Sequence, residues 1–208
     1  MLERLAQDFP LFPLGLVVLP TEVVPLHIFE ERYKTMMNAC LQSEREFGIL
    51  WLSDEGLREN GCACAIERVL ERLDDGRMNI LIRGTRPFRV LERREHLPYP
   101  AGTIEFLDDR EETLDETLRA AAHAVYADLV KRATDRDSDT ASLVTMGAYA
   151  MAATVDFGLD AKQGLLDLRS ENARLRLVTR LFRAALKRLD FVDRAQARAR
   201  SNGKVRFT

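Results

Sequence analysis

The side chains that most often carry out chemistry are few in this sequence and lie in separate segments. They are the histidines His27, His96 and His123 and the cysteines Cys40, Cys62 and Cys64. The sequence contains neither the glycine-rich phosphate loop G-x-x-x-x-G-K-[ST] nor the nucleophile turn G-x-S-x-G. Because no histidine lies in a recognisable catalytic setting, we expect a protein without enzymatic activity.

Cys62-Ala63-Cys64 is the segment most like part of a metal site. Alternate side chains of a β-strand share one face, so the two thiols would point the same way as Ile66, where core residues lie. A zinc site needs a second Cys or His pair at suitable spacing, and the sequence has none. We therefore expect both thiols to be core residues, like Cys40 on a predicted helix, and we expect no metal and no cofactor.

A basic C-terminal segment dominates the charge distribution. The 208 residues carry a formal charge of −2, yet residues 169–208 hold 12 Lys and Arg against 3 Asp and Glu. On a helix, residues three or four apart share a face, so one cationic stripe is predicted at Arg176, Arg180, Arg183 and Lys187. Such a stripe could follow nucleic-acid phosphates, or it could be a solvated face opposite acidic residues of the same chain.

The first half of the chain has the alternation of apolar and polar residues that predicts β-strands. The predicted strands are residues 14–19, 47–52, 62–73, 78–91 and 101–107. Asp75-Gly76 predicts a hairpin turn, since glycine tolerates the positive φ that such turns require. One helix is predicted over residues 30–42, where apolar residues recur at three- and four-residue intervals.

After residue 108 the pattern changes to that of helices. The predicted helices are residues 111–133, 142–155, 160–168 and 171–189. Gly158 is expected to end the second helix, and Asp160 with Gln163 resembles a capping box for the third. We expect a β-rich domain over residues 1–108, a helical bundle over 109–192 and a basic flexible tail over 193–208.

The apolar stretch over residues 11–33 raises the question of membrane insertion. A membrane helix takes about 20 consecutive apolar residues, whereas Pro13, Pro20, Glu22 and Pro25 interrupt this run. The preceding residues carry charges of both signs, and no small-residue cleavage site follows, so a secretory signal is not expected. We expect a cytoplasmic protein that does not insert into membranes.

Taken together, these segments resemble the LON substrate-binding family, the N-terminal domain of the Lon protease, which also occurs as a stand-alone protein and in the cereblon group. The matching segments are Phe12-Pro13-Leu14, Val17-Val18-Leu19-Pro20, Pro25-Leu26-His27-Ile28-Phe29-Glu30-Glu31-Arg32-Tyr33, Phe47-Gly48-Ile49, Asp75-Gly76-Arg77, Arg83-Gly84, Phe88-Arg89-Val90, Gln163 to Leu166 and Ala173-Arg174-Leu175. They span most of residues 9–190. Two positions depart from the family pattern: Thr21 follows Pro20 where a Pro-Gly turn is usual, and Pro87 stands where an arginine often precedes the phenylalanine.

The resemblance implies an α+β fold, a PUA-like β pseudo-barrel followed by a C-terminal α-helical bundle. It also implies a non-enzymatic module that binds unfolded polypeptide segments or an adaptor or protease protein, in protein quality control. The ATPase and peptidase modules of a full Lon do not occur in these 208 residues, so we expect a stand-alone, non-catalytic form.

The matching segments also suggest where a partner would bind. A site of this kind combines apolar anchors with a few polar groups. The predicted partner-binding residues are Leu26, Phe29, Glu30, Arg32, Tyr33, Arg86 and Phe88. The alternative is RNA binding through the basic C-terminal helix, because related PUA folds bind RNA, with Arg176, Arg180, Arg183 and Lys187 as the contacts.

Overall fold

The computed structural model describes residues 4–136 and 139–202, which form seven β-strands and six α-helices. The strands are β1 (Leu5–Leu14), β2 (Val23–Ile28), β3 (Phe47–Ser53), β4 (Gly56–Leu57), β5 (Asn60–Arg72), β6 (Met78–Arg94) and β7 (Ala101–Phe106). The helices are α1 (Glu31–Ser43), α2 (Glu116–Thr134), α3 (Thr140–Thr145), α4 (Ala148–Ala152), α5 (Leu159–Leu166) and α6 (Glu171–Asn202). Strands followed by helices give the predicted α+β class.

Five of the strands form a ring. β1, β7, β6, β5 and β3 pair in that order, and a parallel pairing of β1 with β3 returns to the first strand. β2 and β4 pair with β6 and β3 outside the ring. The ring is not a regular barrel, because the first half of β6 pairs with β2 and β5 whereas its second half pairs with β7 and β5. This is the predicted β pseudo-barrel.

Gly84 lies where the two halves of β6 meet. The segment before β2 crosses it closely, with the Thr21 N–H donating to Gly84 O at 2.8 Å and the Gly84 N–H donating to Glu22 O at 2.9 Å. A Cβ at Gly84 would lie 2.2 Å from Leu19 O. Only glycine therefore permits this approach of one backbone to the other.

The core of the ring is centred on Phe88. Its ring lies 5.6 Å from that of Phe9, and the core cluster also contains Leu50, Ile104 and Phe106. Gly48 and Gly61 leave room for it, because a Cβ at either would come within 3 Å of the Phe88 ring. The helix α1 packs its predicted apolar stripe inward, with Tyr33, Met36, Met37 and Cys40 all buried.

The predicted strand over residues 14–19 is wrong. β1 ends at Leu14, and Val17, Val18 and Leu19 are buried in a segment without regular structure. The prediction also missed β2, because no strand was predicted between residues 19 and 47. An apolar run reports burial, and burial does not require the extended backbone of a strand.

The hairpin and the last strand were predicted correctly. β5 and β6 are joined at Asp74-Asp75-Gly76-Arg77, where Gly76 has φ 82°. The Asp75 carboxylate accepts from the Arg77 N–H at 3.1 Å, and this bond is the main cause of its lowered pKa. β7 occupies the predicted residues to within one position.

The predicted helix over residues 142–155 is two short helices, α3 and α4. The helix is interrupted at Met146 and Gly147, because backbone C=O and N–H groups there form hydrogen bonds with residues of other helices. His123 Nε2 donates to Met146 O at 2.8 Å, and the Ala148 N–H donates to the Glu171 carboxylate at 2.7 Å. Contacts of this kind, distant in sequence, are invisible to a local helix pattern.

Two other helix boundaries differ from the prediction. Gly158, predicted to end the preceding helix, is instead the N-cap residue of α5 at φ 82°, and no side chain caps that helix. The proposed capping box of Asp160 and Gln163 is therefore wrong. α6 continues past Leu189 to Asn202; the flexibility of residues 193–208 stays a prediction, and residues 203–208 lie outside the described residues.

The chain divides into two compact units. The sheet unit comprises the residues up to Glu112 together with Tyr149–Ser170, and the helical unit comprises Thr113–Ala148 and the residues from Glu171 onwards. The predicted division at residues 108 and 192 remains a prediction about independent domains. In the described part of the chain, no helix is both long enough and apolar enough to cross a bilayer.

An ion pair holds α5 on the sheet unit. Lys162 Nζ lies 2.5 Å from Glu22 Oε1, with 15% and 11% of the two side chains exposed. The other Glu22 oxygen accepts from the Leu19 N–H at 2.9 Å. Further along α5, Gln163 donates to Asn60 O at 3.2 Å. These bonds explain why residues 149–170 belong with the strands.

In the helical unit α2 packs on α6. The rings of Tyr126 and Phe182 lie 5.3 Å apart. At the start of α2, the Asp115 carboxylate accepts from the backbone N–H groups of the first turn, and Asn172 of α6 accepts from the Asp115 N–H at 2.8 Å. The N-terminal end of α2 is thus satisfied both by its own cap and by α6.

Candidate polypeptide-binding cleft

The seven predicted partner-binding residues do not form one surface. Leu26 is on β2 and lines one cavity, Arg32 on α1 lines a second, and Arg86 on β6 lines a third. Phe29 and Glu30 lie between β2 and α1. The structure therefore brings together only neighbouring members of the set.

Two of the predicted residues are core residues. Phe88 is 0% exposed at the centre of the pseudo-barrel, so it has no surface to offer a partner. Tyr33 is buried with its ring 4.1 Å from that of Phe12, and this burial is the main cause of its raised pKa. Alternation along β6 gives Phe88 the same inward direction as Met78, Ile80 and Ile82, so its burial could have been read from the sequence.

Arg86 is held by its neighbours. Its guanidinium carbon lies 3.4 Å from the centre of the Phe106 ring, and Nη2 lies 3.6 Å from the Glu46 carboxylate. An arginine stacked on one side chain and paired with another contributes to packing. We assign Arg86 to the structure of the sheet unit and not to the cleft described below.

The exposed face of β2 carries a chain of hydrogen bonds across three strands. His27 Nδ1 lies 2.7 Å from Asn79 Oδ1, and Asn79 Nδ2 donates to the Glu71 carboxylate at 2.8 Å. A carboxylate can only accept, so Asn79 must turn its NH₂ to Glu71 and its oxygen to His27. His27 consequently donates from Nδ1. Beside it, Phe29 stacks on the imidazole at 5.8 Å and is 59% exposed.

A cleft of about 300 Å³ lies around Arg32. Its apolar walls come from β1, β4 and the loop between β6 and β7, and a few charged side chains stand among them. The lining residues are Leu11, Pro13, Arg32, Leu57, Arg93, Arg94, Glu95, Leu97, Pro98, Tyr99, Pro100 and Ala101. A concave, mainly apolar surface with a few polar groups is the usual form of a binding site.

Two of the charged groups in the cleft are already engaged. Arg32 pairs with Glu30 at 2.9 Å, and its guanidinium carbon lies 4.5 Å from the centre of the Tyr33 ring. Arg94 lies 3.4 Å from the Asp8 carboxylate. These contacts hold both arginines in place at the rim of the cleft.

Arg93 and Glu95 differ from Arg32 and Arg94, because no other side chain pairs with them in the described residues. Both side chains are exposed and line the cleft. Within residues 4–136 and 139–202, neither makes a side-chain hydrogen bond or ion pair. The cleft thus offers one free donor group and one free acceptor group beside apolar walls.

The predicted set missed most of the cleft. Leu97-Pro98-Tyr99-Pro100, between β6 and β7, supplies one wall. The sequence signal that could have shown it is this short run of apolar and proline residues directly after a cluster of charges. Most of the predicted residues lie instead within residues 26–33, of which Arg32 lines the cleft.

The cysteines are core residues, as predicted. Cys62, Cys64 and Cys40 are buried, and burial is the main cause that raises the pKa of Cys64 well above its usual value and that of Cys40 to about 11. In the described part of the chain, no group of three or more His, Cys, Asp or Glu side chains is placed to hold a metal ion.

Residues 8–184 match the model of the ATP-dependent protease La (LON) substrate-binding domain. The chain belongs to the LON substrate-binding family. A LON N-terminal domain protein from Xanthomonas campestris has a similar structure, with TM-score 0.61 and 26% identity over 81% of this chain and 94% of that one. The N-terminal domain of a Mycobacterium avium complex Lon protease has TM-score 0.62 and 21% identity over 84% and 97% of the two chains, which shows the fold alone.

Curated relatives of this LON family chain are full proteases. It is 26% identical to a Lon protease from Anaeromyxobacter dehalogenans and 24% identical to Lon protease 2 from Myxococcus xanthus, in each case over 93% of this chain. The chain spans about a quarter of the length of these relatives, 25% and 26%. The shared part is thus the substrate-binding region named by the family model.

Proposed function

We propose that this protein is a non-enzymatic polypeptide-binding module that holds exposed apolar segments of other proteins in the cleft around Arg32. The observation that carries the proposal is the combination of apolar walls with the free side chains of Arg93 and Glu95. The family description, a substrate-binding domain, supports the same class of ligand.

The chemistry of the cleft fits an unfolded backbone. Each residue of an extended chain presents one carbonyl acceptor and one N–H donor. Arg93 can donate to the carbonyl and Glu95 can accept from the N–H, while the leucine and proline walls take an apolar side chain. Since the two charges oppose each other, no net charge is demanded of the ligand.

The titratable groups of the cleft support binding rather than catalysis. Its described lining contains arginines, one glutamate and one tyrosine, and no nucleophile beside a general base. Within this proposal the protein acts in the cytoplasm, in protein quality control. It either delivers segments to a separate protease or adaptor, or keeps them from aggregating.

The test is a titration of a fluorescently labelled, reduced and carboxymethylated polypeptide against the protein. Leu97→Asp places a charge in the apolar wall, and we expect the dissociation constant to rise about tenfold or more, as at a buried interface anchor. Leu70→Asp is the matched control, because Leu70 is exposed on β5 outside the cleft.

Melting temperatures of both variants separate binding from folding. Weakened binding by Leu97→Asp at an unchanged melting temperature supports the cleft. Equal weakening by Leu70→Asp would move the site to the exposed face of β2 and β5. If the unaltered protein binds no unfolded polypeptide, the proposed function is wrong.

A further inference from the structure

The basic stripe of α6 is longer than the sequence pattern predicted. Arg194 follows Lys187 after seven residues and so returns to the same side of the helix. All five cationic side chains are exposed; they are Arg176, Arg180, Arg183, Lys187 and Arg194. At about 1.5 Å per residue the stripe extends for about 27 Å.

Within the helical unit, the stripe has no acidic counterpart among the described residues. None of its five side chains makes an ion pair or a hydrogen bond there. Two acidic residues of α6 are engaged elsewhere, since Glu171 pairs with Arg174 at 2.9 Å and Asp190 with Arg132 at 2.6 Å. Among the described residues of the helical unit, the five cations therefore have no acidic partner, and they are available to a ligand.

The opposite side of α6 is already covered. Leu175, Val178 and Phe182 are buried, and the Phe182 ring packs against Tyr126 of α2. A helix that lies on a bilayer must place its apolar face among the lipids. Because that face is inside the helical unit, a membrane surface does not fit the stripe.

An exposed aromatic residue lies beside the cations. Phe191 is 73% exposed, the highest value among the large apolar side chains of the described residues. It follows Lys187 by four residues and precedes Arg194 by three, so it neighbours both on the helix surface. Cations that follow a backbone, combined with an aromatic ring on which a base can stack, are the features of single-stranded nucleic-acid sites.

We infer that the exposed face of α6 binds single-stranded RNA through its phosphates, with Phe191 stacking on a base. The five cations neutralise phosphates without regard to sequence. The aromatic ring favours unpaired bases over a duplex, whose bases are already stacked. This surface is separate from the polypeptide cleft and does not depend on it.

The test is fluorescence anisotropy of the full chain with a labelled 20-nucleotide oligouridine at several salt concentrations. For single strands the slope of log K against log salt is about −0.7 per phosphate contacted, so five contacts predict a slope of about −3.5. Arg176→Gln with Arg183→Gln should bring that slope to about −2.1. Arg68→Gln with Arg72→Gln removes the same charge from exposed positions of β5 and should leave the slope unchanged.

Phe191→Ala tests the stacking contact separately from charge. Loss of one stacked base predicts affinity lower by about five- to a hundredfold at an unchanged salt slope. Far-UV circular dichroism and the melting temperature show that each variant remains folded, which is expected because all the altered side chains are exposed.

Titrations with other anionic ligands test whether the stripe prefers single-stranded RNA. A duplex of the same length, vesicles of phosphatidylcholine with phosphatidylserine, and polyglutamate are titrated in parallel. Tighter binding of the single strand, lost in the stripe variants, supports the inference. No RNA binding, equal loss in the β5 control, or a stripe-dependent preference for duplex, vesicles or polyglutamate overturns it.

Discussion

Thr21 has a backbone conformation that its own side chain makes costly. Its φ is 71°, in the left-handed region that β-branched residues avoid. The conformation persists because the residue is fixed on both sides, by the bond from its N–H to Gly84 O and by the bond from the Glu22 N–H to Leu19 O. The strain lies at the position where the resemblance to the LON family implied the glycine of a Pro-Gly turn.

Thr21→Gly should therefore stabilise the protein. Removal of the side chain relieves about 1–2 kcal/mol of strain, against which glycine adds entropy to the unfolded chain. We expect a net gain of about 0.5–1 kcal/mol and a melting temperature higher by about 1–4 °C, measured by thermal and urea unfolding.

Thr35→Gly is the comparison for that prediction. Thr35 is exposed on α1, where glycine is less favourable than threonine by roughly 0.3–0.5 kcal/mol in a helix interior. Opposite signs for the two substitutions support strain at Thr21. A loss of stability in both would show that the Thr21 side chain contributes contacts worth more than its strain.

The burial of single residues was predictable where it follows from the local secondary structure. The inward orientation of Cys62 and Cys64 follows from strand alternation, and the structure confirms it. Phe88 was wrongly placed on a binding surface, although alternation along β6 gives it the same inward direction as Met78, Ile80 and Ile82. The local pattern does not contain the space for its ring, which Gly48 and Gly61 of two other strands provide.

At the scale of elements, the β5–β6 hairpin shows how turn chemistry sets register. The Leu73 N–H donates to Arg77 O at 2.9 Å, and the Gly76 N–H donates to Leu73 O at 2.9 Å. These bonds close the turn only with positive φ at Gly76. This element was predictable because turn residues and flanking strands are adjacent in sequence.

Gly76→Ala should destabilise the protein by about 1 kcal/mol, since alanine at φ 82° meets the left-handed steric penalty. The matched control is Gly15→Ala, because Gly15 is exposed, lacks a positive φ, and has nothing within 4 Å of an added Cβ. Urea unfolding should show a change within about 0.5 kcal/mol for the control. Equal effects at the two sites would contradict the assignment of the cost to φ.

β2 could not be predicted in the same way. It pairs on one side only, with β6, and its middle residue is Pro25, which weakens a strand signal. Because Gly84 and Glu22 form a hydrogen-bonded pair, alternation along the ladder makes Pro25 a non-hydrogen-bonded position. The proline therefore removes a donor from the free edge and discourages pairing with another chain.

At the scale of the whole molecule, the reactivity of the three cysteines measures the unfolding of the sheet unit. Cys40, Cys62 and Cys64 all belong to the sheet unit, whereas α2 and α6 of the helical unit supply most of the helix in the chain. Thiol labelling and far-UV circular dichroism therefore observe different parts of the protein.

We predict that the native protein resists iodoacetamide at pH 8. A pKa of about 11 leaves Cys40 with a thiolate fraction on the order of one in a thousand at that pH, and only the thiolate reacts. In rising urea the helical signal should fall before the thiols react, because the helical unit lacks the closed ring of strands. Coincident transitions would show instead that the two units unfold together.

The overall architecture was predictable and the path of the chain was not. Periodicity and the LON resemblance gave strands followed by helices. The return of residues 149–170 to the sheet unit depends on Lys162 meeting Glu22 and on Gln163 meeting Asn60, pairs more than 100 positions apart. The cleft was missed for the same reason, since its walls come from β1, β4 and a late loop.

The closed ring also affects how the protein is made on the ribosome. β1 is synthesised before the other strands of the ring, yet its antiparallel neighbour is β7, with Leu5 opposite Glu105. Because translation adds about 5–20 residues per second, roughly 5 to 20 seconds pass between the synthesis of β1 and that of β7. Throughout that interval Phe9, Leu11 and Phe12 lack the core that later covers them, so the nascent chain is itself, for a time, an exposed apolar segment of the kind a chaperone binds.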